Sequence, residues 1–243
     1  MRRGYASPLR IRGVDTWQTP LFFFGRIDSG TMTMRTHSEP GGKTVNEDCL
    51  IARRHPANHS VIICALADGQ GGRAFGAEAA RAACESAWSS ASRYSAMDLA
   101  EGAAWRSVIE SADLATAATG GFTTLVALAI GDDFAAGASS GDSKAFFRSA
   151  EGSEITEWTA RQPKNPPVGS ESVASATFLG RVSRGGRLLL VTDGVWKYCG
   201  YESLREAFEL PVDVVAAHLR RAVLARAGTS LPDDFSLIVV DLP

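Results

Sequence analysis

Seven carboxylates stand where apolar runs begin or end. Glu47 and Asp48 follow Asn46, Asp68 and Asp193 each precede a glycine, Asp142 follows Gly141, and Asp233 and Asp234 come just before the last apolar run. Strand ends that are distant in sequence can share one edge of a sandwich and so meet in space. Four or more carboxylates at one place repel and raise one another's pKa values unless cations neutralise them. Hard divalent ions do this, and an oxygen-only donor set without Cys or His favours Mg²⁺ or Mn²⁺ over Zn²⁺. Gly69, directly after Asp68, lets its own carbonyl approach such an ion with no side chain in the way. Each acidic residue taken singly reads better as a turn or cap residue. The combination is what points to chemistry.

Three other motifs do not hold together. Gly41-Gly42-Lys43-Thr44 resembles the end of a phosphate-binding P-loop, but His37 stands where the first glycine is required. Gly137-Ala138-Ser139-Ser140-Gly141 has the spacing of a nucleophile elbow, but a further strand follows instead of a helix. The one later histidine, His218, lies in a helical segment. His55 and His59 have the spacing of a helical zinc pair, yet Pro56 lies between them, and the sequence places both in a surface loop.

The elements that position the carboxylates follow from periodicity. The continuous run Val61 to Ala67 suits a strand covered on both faces. Further strands are predicted at Leu21 to Phe24, Cys49 to Ala52, Arg187 to Thr192 and Phe235 to Leu242. From Arg73 to Ala118 the chain is Ala-rich and free of Pro, which predicts two helices broken near Ser95 to Asp98, with Phe75, Trp88 and Trp105 in the core. Phe122 to Ile130, Phe134 to Ser139 and Lys144 to Arg148 read as an antiparallel meander joined by turns at Gly131-Asp132-Asp133 and Gly141-Asp142. Residues 159 to 186, with Pro163, Pro166 and Pro167, read as a loop or flap. Val212, Val215, Ala216, Leu219 and Val223 mark an amphipathic helix.

The whole is an ordinary globular composition: 243 residues, 45% hydrophobic, with 25 basic against 27 acidic side chains and a net charge of −2. Such a balance lacks the electrostatic footprint of a protein whose partner is nucleic acid or an anionic membrane. Cys49, Cys64, Cys84 and Cys199 form no CxxC pair and read as reduced thiols, so the expectation is a cytoplasmic monomer. Residues 1 to 18 read as a basic arm, and residues 19 to 243 as a single domain.

Several motifs occur in a fixed order: Lys43-Thr44-Val45-Asn46-Glu47-Asp48, Ala67-Asp68-Gly69-Gln70-Gly71-Gly72, Gly121-Phe122-Thr123-Thr124, Gly141-Asp142-Ser143-Lys144, Val191-Thr192-Asp193-Gly194-Val195-Trp196 and Asp233-Asp234-Phe235-Ser236. From residue 43 to the C-terminus this series resembles the metal-dependent protein phosphatases of type 2C. The resemblance implies an α+β fold, a four-layer αββα sandwich of two antiparallel sheets flanked by helix pairs. It also implies two Mg²⁺ or Mn²⁺ ions, with a third more weakly held, and hydrolysis of phosphoserine and phosphothreonine by in-line attack of a metal-activated water. On this resemblance Asp68 bridges the two ions, Asp193 and Asp233 (or Asp234 beside it) complete the first, and Glu47 with the Gly69 carbonyl hold the second. Asp48 acts through a water on the metal, Asp142 ligates the third ion, and Lys43 stands where the family usually has an arginine that grips the substrate phosphate. Gln70 occupies the place of a histidine or methionine. The partners implied are a phosphorylated protein and an opposing Ser/Thr kinase. Two alternatives accompany this reading: a catalytically silent, phosphatase-like binding module, and a phosphatase of small metabolites.

Overall fold

The computed structural model describes residues 32–42, 44–70 and 75–243. The expected N-terminal arm, the strand at Leu21 to Phe24, Gly71-Gly72 and Lys43 lie outside the described residues.

The continuous apolar runs become strands with a core on each side. Along Val61 to Ala67, the odd-numbered residues Val61, Ile63, Ala65 and Ala67 enter one core, while Ile62, Cys64 and Leu66 enter another. Successive side chains of a strand point to opposite faces, so an unbroken apolar run demands apolar cover on both. The last strand obeys the same rule: Phe235, Leu237 and Val239 face one layer, and Ile238 and Val240 the other.

Ten strands and six helices result among the described residues. The first sheet has the order β1 (Thr33–Glu39), β10 (Phe235–Asp241), β9 (Arg187–Val191), β6 (Lys144–Arg148) and β7 (Thr156–Glu157). The second runs β2 (Asp48–His55), β3 (Asn58–Asp68), β4 (Leu125–Ile130), β5 (Phe134–Ser140) and β8 (Ala176–Arg181). All strand pairs are antiparallel. The helices α1 (Gly76–Ala91), α2 (Ala96–Ala100) and α3 (Ala104–Ala117) cover the second sheet through a core that includes Trp105 and Ile109. The first sheet is covered by α4 (Asp193–Trp196), α5 (Tyr201–Glu206) and α6 (Val212–Ala227). A third core, with Leu66, Leu128, Leu190 and Ile238, fills the space between the sheets. The architecture is therefore the αββα sandwich.

The expected meander is corrected. β4 and β5 form a hairpin, but β6 leaves that sheet and pairs with β9 in the other. Gly141, at φ +106°, turns the chain across the gap, and β5 completes its second edge with β8. The Gly141-Asp142 turn thus lies on the seam between the sheets. The predicted helix break contains a one-turn helix of its own, α2, closed by a capping box between Ser95 and Asp98. The predicted flap contains β8. Phe75 is half exposed, not in the core, while Trp105 is fully buried. His55 is buried, not in a surface loop: its Nδ1 accepts from the amides of Ala57 and Asn58 and its Nε2 meets the Tyr94 carbonyl, so it locks the β2–β3 turn.

Another histidine gives the fold a pH dependence. His37, on β1, lies edge-on to Phe235, 6.5 Å between ring centroids, with Glu39 Oε1 3.7 Å away and Arg220 paired to that same carboxylate. Burial, reinforced by the Arg220 charge, pushes its pKa from 6.5 down to about 2. The unfolded chain takes up this proton below pH 6.5 and the folded chain does not, so the stabilisation is complete above pH 6.5 and is lost as pH falls. Denaturant titrations at pH 7.5 and 5 are expected to show a loss that is smaller by about 2 kcal/mol in His37→Gln than in the unsubstituted chain. Equal losses in the two proteins would remove His37 from the account.

Candidate metal centre

The site is built from strand ends at one rim of the sandwich. Asp68 ends β3 and pairs across the ladder with Asp48, which begins β2. Asp193 follows β9 and opens α4, Asp233 precedes β10, and Asp142 sits on the seam turn between β5 and β6. Asp68, Asp142, Asp193 and Asp233 line a common cavity of about 400 Å³, together with Gln70, Thr123, Thr124 and Lys164. Four carboxylates from four separate stretches of chain therefore face one space.

The backbone around Asp68 is fixed before any ligand arrives. Its amide donates to Thr124 Oγ1 at 3.0 Å, and its carbonyl accepts from the Thr123 hydroxyl at 2.8 Å and from the Thr124 amide at 2.9 Å. Thr124 Oγ1 is in turn 2.7 Å from Ser143 Oγ, which ties β3 to the seam turn. A side chain at position 69 would collide with the Gly76 carbonyl at the start of α1, and one at position 194 with the Asp234 carbonyl. These glycines let α1 and α4 pack directly against the rim.

Glu47 and Asp48 stand beside the cavity. The Glu47 carboxylate lies against Gly76 at the start of α1, and its carbonyl accepts from the Gly69 amide at 3.0 Å. Asp48 Oδ2 accepts from Thr192 Oγ1 at 2.9 Å, while its Oδ1 is buried with no hydrogen-bond partner. Burial raises the Asp48 pKa well above the ordinary carboxylate value; the Ser236 and Thr192 hydroxyls oppose the rise, and Asp234 and Asp193 add to it. Burial raises the Asp68 pKa as well, followed by the charges of Asp48, Asp193, Asp233 and Asp142.

Asp234, paired with Asp233 in the sequence reading, is not among the residues lining the cavity. Its side chain is buried, with Oδ1 accepting from the Gly41 amide and Oδ2 from the Glu47 amide, both at 2.8 Å. It is a clasp that holds the 41–47 loop to the start of β10, which leaves Asp233 to face the cavity.

Two lysines not singled out in the sequence supply positive charge. Lys164 Nζ lies 2.6 Å from Asp142 Oδ2, and Lys197 Nζ pairs with Asp193 Oδ2 while standing 3.8 Å from Asp142 Oδ2. A signal for Lys197 was present: it follows Asp193 by four residues, the spacing of neighbours on a helix face. Asp113, also missed, is a carboxylate on the buried face of α3, where Val108, Ile109, Ala112 and Thr116 are also buried. It accepts from the amides of Gly169, Ser170 and Val173, in the loop that carries Lys164 and Asn165 to the cavity.

Among the described residues no three of the acidic, His or Cys side chains stand in a closed ligand cage. The carboxylates surround the space as like charges do. Their chemistry nevertheless fits a hard divalent cation: every donor is oxygen, Asp48 keeps a buried oxygen without a partner, and Asp68 is raised by four neighbouring charges.

No family model and no curated protein matches this sequence. Solved structures do. The Mycobacterium tuberculosis serine/threonine phosphatase PstP/Ppp superposes with a TM-score of 0.72 at 23% identity, over 87% of this chain and 98% of that one. The chain has the fold of that phosphatase. The PstP catalytic domain in complex with two manganese ions matches with a TM-score of 0.71 at 22% identity, over 86% of this chain and 97% of that one. RsbX in complex with magnesium matches with a TM-score of 0.68 at 18% identity, over 89% and 98%.

Proposed function

We propose that this chain is a metal-dependent phosphatase that hydrolyses phosphoserine and phosphothreonine in proteins, with Mg²⁺ or Mn²⁺ as cofactor. The observation that carries the reading is the convergence of Asp68, Asp142, Asp193 and Asp233 on one cavity at the sandwich rim. The fold shared with serine/threonine phosphatases, one of them solved with two manganese ions, supports it. Asp68, Asp193 and Asp233, with Glu47 and the Gly69 carbonyl, would hold the ions. A bound pair of divalent ions lowers the pKa of a water, holds phosphoryl oxygens and stabilises a leaving alkoxide.

The chain's own residues do the rest. Asp48, with one oxygen held by Thr192 and the other without a partner, is placed to take a proton. Lys164 and Gln70 bring donors to the wall of the cavity, where a phosphoryl group needs them. Asp142 holds Lys164 on the same wall. Among the described residues lining the cavity there is no Ser, Cys or His, in keeping with attack by water and not by a protein nucleophile. The four free thiols fit a reducing compartment, where a phosphoprotein and an opposing Ser/Thr kinase would be the partners. Among the described residues no helix is long and apolar enough to cross a membrane.

The test is hydrolysis of an aryl phosphate and of a phosphothreonine peptide by the full chain in Mn²⁺. Turnover is expected to disappear in EDTA and to return when Mn²⁺ is restored. A folded chain that binds the phosphopeptide without metal-dependent turnover would establish a silent binding module instead. Turnover confined to sugar phosphates would make it a metabolite phosphatase.

A further inference from the structure

We infer that Lys197 is a built-in counter-cation that closes the Asp142 end of the cavity to a metal ion, so that the site takes two divalent ions and no third; this rests on the proposed function.

One ammonium serves two carboxylates. Lys197 Nζ pairs with Asp193 Oδ2 across α4 and lies 3.8 Å from Asp142 Oδ2, on the seam turn. Neither partner is free to drift from the other. Trp196, next in the chain to Lys197, donates its indole N–H to the Asp142 carbonyl at 2.9 Å and so fastens the turn to α4. The Lys197 ammonium also stands 5.6 Å from the centroid of that indole ring, within reach of its negative face. Lys164 brings a second ammonium to the same Asp142 oxygen, at 2.6 Å. A divalent ion drawn to Asp142 Oδ2 must therefore displace both ammoniums from that oxygen, and one approaching Oδ1 meets the repulsion of each.

The two ammoniums are not equivalent. The Lys164 side chain is 62% exposed and reaches only Asp142, whereas Lys197 is 40% exposed and bridges two carboxylates beside an indole. Lys164 can move to a substrate phosphate without opening the Asp142 end. Lys197 cannot leave without taking from Asp142 and Asp193 the positive charge they share. Lysine presents a point charge with directional N–H donors and cannot polarise a water as a dication does. The consequence is a fixed charge that no chelator removes, at a place where the acidic rim by itself would attract an ion. The rest of the acidic charge, around Asp68 and the partnerless oxygen of Asp48, keeps its demand for metal.

The experiment counts Mn²⁺ bound to the full chain, from the loss of the free-ion electron paramagnetic resonance signal on titration. The unsubstituted protein is expected to bind about two ions at saturation and Lys197→Asp about three, while Lys197→Arg, which keeps the charge, stays at about two. Should Lys197→Asp fail to fold, Lys197→Met keeps the apolar stem without the charge and is expected to exceed two. Three ions on the unsubstituted chain would overturn the inference and leave the phosphatase reading standing, as would a folded Lys197→Asp or Lys197→Met that stays at two. Fewer than two ions on the unsubstituted chain would sink the phosphatase reading, and the inference with it.

Discussion

Replacing Asp68 by asparagine is expected to lower metal-dependent phosphate-ester turnover by at least about 10³-fold, about 4 kcal/mol in the transition state, while making the chelated protein more stable. The two effects have one cause. Asp68 is the carboxylate on which the field of the others converges: burial and the charges of Asp48, Asp193, Asp233 and Asp142 all raise its pKa. In the metal-free protein this carboxyl is costly to ionise, first through burial and then through its charged neighbours, and asparagine removes both costs at nearly constant volume. Folding is otherwise little affected, because Thr123 and Thr124 bond to the Asp68 backbone and not to its side chain. A gain of about 1 kcal/mol corresponds to about 2–4 °C in melting temperature for a chain of this size. With Mn²⁺ present the order reverses, since ligand binding stabilises only the protein that can hold it. Melting curves with and without Mn²⁺, run beside the activity assay, check both parts. If Asp68→Asn melted lower than the unsubstituted protein in EDTA, the picture of a carboxyl that is costly to ionise at the rim would fail.

How much of this could be read in the sequence depended on whether a residue's surroundings leave a mark on its neighbours. β3, β9 and β10 are buried on both faces, so their runs are unbroken and legible. β1, with the sequence Thr-Met-Arg-Thr-His-Ser-Glu, carries no apolar signal, because its place is set by seven residues of pairing with β10 and not by its own composition. β8 is an edge strand whose residues alternate between half-buried and exposed, within a stretch rich in Pro, Gly and Ser, and so it read as loop. Gly141-Asp142 was read as a hairpin turn, but the chain there crosses to the other sheet. Turn residues say that the chain reverses, not which sheet receives it, and the pairing of β6 with β9 is decided some forty residues later in the chain.

The site shows the same division. Asp68 and Asp193 interrupt apolar runs and stand out for that reason. Asp233 and Asp234 are adjacent and chemically identical, and only the amides of Gly41 and Glu47, far away in sequence, separate the cavity residue from the clasp. Asp113 lies in a helix and Lys197 directly follows one, where a charge is by default a solvated surface residue. For Asp113 the burial of Ile109, Ala112 and Thr116 on the same face argued otherwise.

That buried carboxylate carries the second large effect. Asp113 is 3% exposed, and its Oδ1 accepts from the Gly169 and Ser170 amides at 2.6 and 3.0 Å, its Oδ2 from the Val173 amide at 3.1 Å. The Val168 carbonyl, just before them, accepts from the Thr123 amide at 3.1 Å, so the loop is tied both to α3 and to the rim that holds Asp68. Alanine at position 113 removes the acceptor from three amides at once. A hydrogen bond to a charged group contributes about 1.5–3 kcal/mol, and water reaching the opened loop recovers part of the loss, so Asp113→Ala is expected to cost about 3 kcal/mol. That is a fall of about 6–12 °C in melting temperature. Asparagine keeps one acceptor oxygen and turns an N–H₂ toward an amide donor, so its cost should be intermediate. Because the same loop carries Lys164 and Asn165 to the cavity, KM for a phosphopeptide is expected to rise more than kcat falls, while an aryl phosphate, which reaches less far along the loop, is affected less. Protease cleavage between residues 163 and 174 should accelerate in step with the alanine substitution. An Asp113→Ala protein with unchanged melting, cleavage and KM would show that the loop's other ties, Thr123 to Val168 and Gly141 to Pro163, hold it, and that the carboxylate beneath it is dispensable.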